Sequence, residues 1–185
     1  YSVIGGESLP KLTSEVEASI LEKMLTCRPM STAFTKGTQH QVFYSRKVGY
    51  FLQILNFEPR VYDGEGNLRP PSEFKEILFT APSAADTALC TLNSNLFYWY
   101  VTVFSDCRHV NRREVNAFPV GIDEIASSDL AGRFSELAAQ LMRNLEETSE
   151  ERQMKFSHDT LTIQFIYPKY SKHIIDEIDR VLERE

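Results

Sequence analysis

The sequence predicts an α+β fold: a small mixed or antiparallel sheet flanked by helices, with a long helix and a C-terminal strand–helix extension. Three observations carry that prediction. Segments that alternate apolar and polar residues share the chain with segments whose apolar residues recur every three or four, without the regular strand–helix–strand order of a parallel sheet. Proline and glycine punctuate these segments at short intervals. The length of 185 residues, 42% of them hydrophobic and 25% charged, suits one main core and excludes disorder, collagen and fibre. Residues 1–121 read as the α+β core and 122–185 as a helical extension with one strand packed on it, one domain overall.

Ser14-Glu15-Val16-Glu17 is a capping box, so a helix is predicted over 15–25 with Val16, Ile20 and Met24 on one face, ending before Pro29. Residues 41–55, rich in Val, Phe, Tyr and Ile, predict one or two strands broken near Gly49. Arg60-Val61-Tyr62 leads into a turn at 63–67, where Gly64 and Gly66 can both take positive φ. After the Pro70-Pro71 loop, 76–80 reads as a buried strand closed by Pro82. Ser83 is placed to cap a helix from Ala84, with Ala88, Leu89 and Leu92 inward. Beyond Asn93-Ser94-Asn95, the aromatic segment 96–104 has helical spacing, while its β-branched content keeps a strand open. Residues 115–120 read as extended, fixed by Pro119. The long helix runs over 129–151 on Leu130, Phe134, Leu137, Leu141 and Leu145. Residues 161–167 alternate as a strand, and Ser171 caps a last helix with Ile174, Ile175, Ile178, Val181 and Leu182 inward and Asp176, Glu177 and Asp179 in water.

Three widely spaced cysteines, Cys27, Cys90 and Cys107, fit a reducing, cytoplasmic setting better than a disulfide framework. The longest apolar stretch, 96–104, is too short to span a bilayer, so no membrane partner is expected. The chain begins at Tyr1 without a basic and apolar leader, as a fragment of a longer polypeptide would.

The net charge of −6 is unevenly placed. Residues 1–121 carry 12 basic and 12 acidic side chains; residues 122–185 carry 8 and 14, which is the whole excess. Within the first part, residues 23–57 hold Lys23, Arg28, Lys36, Arg46 and Lys47 and no acid, interleaved with Phe34, Phe43, Tyr44, Tyr50 and Phe51. That mixture suits a surface that meets phosphates, although rings in strands ordinarily belong to a core. A second basic cluster is Arg108-His109-Val110-Asn111-Arg112-Arg113.

Enzyme signatures are sparse. There is no glycine-rich phosphate loop and no serine-hydrolase elbow, and Cys107-Arg108-His109 offers too few ligands for zinc. Asp63 with Glu73-Phe74-Lys75 has the bare spacing of Mg²⁺-dependent nucleases, in which carboxylates hold the metal and a lysine orients water. A turn acid and a charged strand start explain the same residues. A third reading is a protein-interaction module, docking a partner through the 129–151 helix and the acidic tail.

The run Ala88-Leu89-Cys90-Thr91-Leu92-Asn93-Ser94-Asn95-Leu96-Phe97-Tyr98-Trp99 resembles the "LLNS-x-L-F-x-W" stretch of TaqI-like and type IIG adenine-specific DNA methyltransferases. There, as here, a basic element (105–114) and an "FP" strand (Phe118-Pro119) follow. The tail Ser171-Lys172-His173-Ile174-Ile175-Asp176-Glu177-Ile178-Asp179-Arg180-Val181-Leu182 is similar to that family's "SKPIIDEIDRVLA" helix, with His173 where proline is common. The resemblance covers about residues 83–185. It implies the target-recognition domain of a restriction–modification enzyme, non-catalytic as isolated, with double-stranded DNA and the upstream methyltransferase domain of the same polypeptide as partners. It places S-adenosylmethionine and Mg²⁺ in the parent and no cofactor in this fragment. For phosphate contacts the residues of choice are Lys36, Arg46, Lys47, Arg112 and Arg113; for base edges, Arg108, His109 and Asn111, since Arg suits guanine and Asn suits adenine.

Overall fold

Ser14 opens the first helix through a reciprocal cap. Its Oγ accepts from the Glu17 N–H at 3.2 Å, and Glu17 Oε2 accepts from the Ser14 N–H at 3.1 Å. In the computed structural model, which describes residues 10–37, 40–49 and 51–183, this helix, α1, spans Glu15–Met24. Leu21 and Met24 are buried, whereas Val16 is 68% exposed. The expected face is therefore corrected: α1 meets the core through its last turn alone, and Val16 and Ile20 lie outside it.

The run at 41–55 forms two antiparallel strands, β1 (His40–Ser45) and β2 (Ile54–Leu55). A hairpin of β3 (Val61–Tyr62) and β4 (Leu68–Arg69) follows, and of its two glycines only Gly66 takes a positive φ, +86°. Strand β5 (Phe74–Phe79) then pairs with the free side of β1, giving the order β2-β1-β5 and setting Tyr44 opposite Lys75 and Phe43 opposite Glu76.

Pro82 does not close β5 as expected; it enters the first turn of α2 (Pro82–Leu92), where its missing N–H costs no helical bond. Ala81, not Ser83, occupies the N-cap. Helix α2 is buried nearly all round, from Ala84 and Ala85 through Ala88, Leu89, Cys90 and Leu92, as a helix central to a core must be. Asn93 and Ser94 interrupt it productively: Asn93 Nδ2 donates to Ile54 O at 2.9 Å, and Ser94 Oγ accepts from the Phe97 N–H at 3.1 Å. That cap decides the aromatic segment as a helix, α3 (Asn95–Phe104). Its Phe97 and Tyr100 rings lie 4.8 and 5.1 Å from that of Phe118, and burying each such side chain contributes roughly 1.5–3 kcal/mol.

The expected extended segment at 115–120 is corrected. Asn111 and Glu114 cap a short helix, α4 (Arg112–Ala117), and a further helix, α5 (Ile122–Ala126), follows. The long helix, α6 (Ala131–Glu147), buries Phe134, Leu137, Leu141 and Leu145 as expected but stops before 151. Residues Glu150–Lys155 form instead a wholly exposed strand, β6, in a hairpin with β7 (Thr160–Phe165). The second sheet has the order β4-β3-β7-β6, so two small antiparallel sheets replace one. A 3₁₀ turn at Pro168–Ser171 leads into α7 (Lys172–Leu182), where Ile174, Ile175, Ile178 and Val181 are buried. Ser171 does not cap it through its side chain; its Oγ donates to Asn144 Oδ1 at 2.7 Å. Asp179 is half-buried, accepting from the Asn95 N–H and Nδ2 at 3.0 and 2.6 Å, and burial pushes its carboxyl above the usual range. One continuous buried cluster runs from Leu21 to Val181.

Candidate functional site

Two backbone hydrogen bonds join the two basic stretches, and a third ties the first of them to the residue just before β5. Where β1 ends, the Arg46 N–H donates to Glu73 O at 2.8 Å, the Val110 N–H to Arg46 O at 2.8 Å, and the Val48 N–H to Arg108 O at 3.1 Å. Lys47 and His109 face one another as an isolated bridge. The segment 108–110 thus lies alongside 46–48, and α4 begins directly beyond it.

The loop that delivers this segment is held from within. Asp106 Oδ1 accepts from the N–H groups of Arg108 and His109 at 2.9 and 3.0 Å, and these bonds lower its carboxyl below the usual range. Cys107 takes φ +60°, a left-handed conformation uncommon outside glycine. Downstream, Glu114 is buried, its Oε2 accepting from the Asn111 N–H at 2.9 Å. Arg112 therefore stands at the first residue of a fixed helix.

Two adjoining hollows lie along this junction. One, of about 350 Å³, is lined by Tyr44, Arg46, Lys75, Glu76, Asn111 and Arg112. The other, of about 250 Å³, is lined by Phe34, Lys36, Gly37, Glu76, Leu78 and Arg112. Both are open, and they share Glu76 and Arg112. Among the described residues, no carboxylate lies within ion-pair distance of Lys36, Arg46, Lys75 or Arg112. Four cations without an ion pair among the described residues therefore share the lining of the two hollows with one carboxylate, Glu76. Burial raises the Tyr44 hydroxyl above its ordinary pKa, opposed by the nearby Arg112 and Arg46 charges.

Of the residues singled out from sequence, Lys36, Arg46, Asn111 and Arg112 line the trough. Lys47 and His109 sit at its end through their bridge; Lys47 Nζ is 3.2 Å from Glu73 Oε1 in an exposed pair worth little, and His109 Nδ1 is 3.6 Å from Asp106 Oδ2. Arg108 is exposed, with no ion pair among the described residues. Arg113 is committed elsewhere: its Nη2 donates to Glu114 Oε1 at 2.7 Å and to Phe104 O at 3.3 Å. Lys75 and Glu76 were not marked as interface residues by sequence, and Tyr44 stood out only as one ring of the basic window. The signal of Lys75 and Glu76 was latent, since only the register of β5 against β1 places them beside Arg46.

Three rings of the basic window, Phe34, Tyr44 and Phe51, pack inward, while Phe43 is half-buried. Phe34 meets Phe79 edge-on at 5.7 Å, Phe51 stacks on Tyr98 at 5.2 Å, and Tyr44 is buried; Tyr50 lies outside the described residues. Asp63 lies in the turn of the β3–β4 hairpin, whereas Glu73 immediately precedes β5 and Lys75 lies in it, in the other sheet. Asp63 accepts from the Glu65 and Asn67 N–H groups, Asn67 Nδ2 and Arg69 Nε; led by the Asn67 N–H, these hold its carboxyl at about 2. Its oxygens serve the hairpin turn; among the described residues no group of three or more His, Cys, Asp or Glu side chains is arranged to hold a metal. No described helix is long and apolar enough to cross a membrane.

Comparison of the chain with protein-family models, with curated proteins and with solved structures finds no significant match.

Proposed function

We propose that this chain is a DNA-binding target-recognition domain of the type IIG restriction–modification kind, and that the trough along β5 grips double-stranded DNA. The observation that carries this reading is the gathering of Lys36, Arg46, Lys75 and Arg112 around open hollows, with no ion-paired carboxylate among the described residues, in a chain whose net charge is −6. Cations left unpaired on an acidic protein favour a polyanion, because each phosphate neutralised releases condensed counterions. In this reading the chain has no catalytic step of its own. Methyl transfer, with S-adenosylmethionine, and Mg²⁺-dependent cleavage belong to the parent polypeptide, whose upstream methyltransferase domain is the second partner. A cytoplasmic setting accompanies it, consistent with three free cysteines.

The test is duplex binding followed by fluorescence anisotropy as a function of salt. The wild-type chain should bind, with log K falling linearly against log salt. The double variant R46A/R112A should bind more weakly to every sequence, its slope flattened by about 0.9 for each phosphate that is no longer neutralised. Absence of binding at low salt, or an unchanged slope in the double variant, would contradict the reading.

A further inference from the structure

Glu76 is the anomaly of the trough. It is exposed on β5, lines both hollows, and stands among Lys36, Arg46, Lys75 and Arg112 with no ion pair to any of them among the described residues. A carboxylate at the centre of a phosphate-binding surface repels the phosphates that its neighbours attract. If its task were to organise the cations, it would bond to one of them, as Glu114 does to Arg113 and Glu73 to Lys47. Among the described residues it is instead left as an acceptor without a donor. A DNA duplex offers carboxylates few donors: in the major groove these are the exocyclic amines, cytosine N4 and adenine N6. Phosphate and sugar edges of DNA offer none.

We propose that Glu76 reads a base, its carboxylate accepting a hydrogen bond from an exocyclic amine, cytosine N4 above all, while the surrounding cations hold the backbone. The inference rests on the duplex-binding reading of the same trough. It assigns specificity to β5, a strand of fixed register, in addition to the 108–113 segment. Lys75, next to Glu76 on β5 and opposite Tyr44 of β1, joins the phosphate contacts.

The experiment is selection from a randomised duplex pool by the wild-type chain, by E76Q and by E76A, with E58Q as control. Glu58 is exposed and lines neither hollow, so E58Q shares the charge change without the position. Wild type should select cytosine or adenine at one position. E76A should lose that preference by about 5- to 150-fold while binding non-specific duplex as well as wild type or better, and E76Q should shift it toward adenine. E58Q should keep the wild-type preference. An unchanged preference in E76A and E76Q overturns this inference alone, as does a wild-type chain that binds duplex with no base preference. A wild-type chain that binds no duplex overturns both this inference and the reading on which it rests. Circular dichroism of each variant confirms that the exposed substitutions leave the fold intact.

Discussion

Glu17 takes four donors at once: the Thr13 N–H and hydroxyl, the Ser14 N–H, and the Trp99 indole N–H at 3.0 Å. Led by the indole, these bonds lower its carboxyl from 4.5 to about 2. Asp63 is the second such group, lowered from 3.8 to about 2 by its hairpin donors. Both carboxyls are more acidic in the folded chain than in the unfolded one, so the folded state gains stability where both are ionised. That gain is complete above about pH 4.5 and is lost as pH falls toward 2. Urea midpoints measured across this window should fall with acidity in wild type, and more gently in an E17Q/D63N variant. Parallel declines would show that neither group carries the acid sensitivity. Such acids differ from Glu76, because their oxygens are already occupied.

Helix α4 governs the site although it was hidden in the sequence. Six residues, Arg112–Ala117, are too few for an amphipathic period to declare itself, and Pro119 drew the reading toward an extended chain. The capping pair Asn111 and Glu114 was the available signal. Strand β6 escaped for the opposite reason: all its residues are exposed, so no apolar alternation marks it, and its acids read as the continuing surface of α6. Helices α6 and α7 were legible because each buries one stripe against the core. In the trough, Lys36, Arg46 and Arg112 stood out as cations in stretches poor in acid. Lys75 and Glu76 cancel in a charge count and acquire meaning only through strand register. Glu114→Ala should cost roughly 1–3 kcal/mol in urea unfolding, since the Asn111 N–H and the Arg113 guanidinium would be left without a buried acceptor. It should also weaken duplex binding, although Glu114 is buried and touches no ligand. Retained affinity with lowered stability would show that α4 does not position Arg112.

Across the whole molecule, many acids of the C-terminal third are paired with cations outside the trough. Glu124 bonds to Arg28, Glu146 and Glu151 approach Arg60, Glu177 meets Arg133 and Arg180, and Asp176 meets Lys172. Arg28, in the basic window by sequence, is withdrawn from it in this way. Lys36, Arg46, Lys75 and Arg112 are among the cations with no ion pair within the described residues, and their clustering along the trough gives it a positive field, which steers a polyanion even to a protein of net negative charge. Amide hydrogen exchange in the presence of a duplex tests this placement most directly. Protection should rise at residues 35–36, 44–46, 75–78 and 108–113 and stay unchanged over α6 and α7. Protection confined to α6, α7 or the β6–β7 hairpin, with the trough unaltered under saturating duplex, would contradict the account.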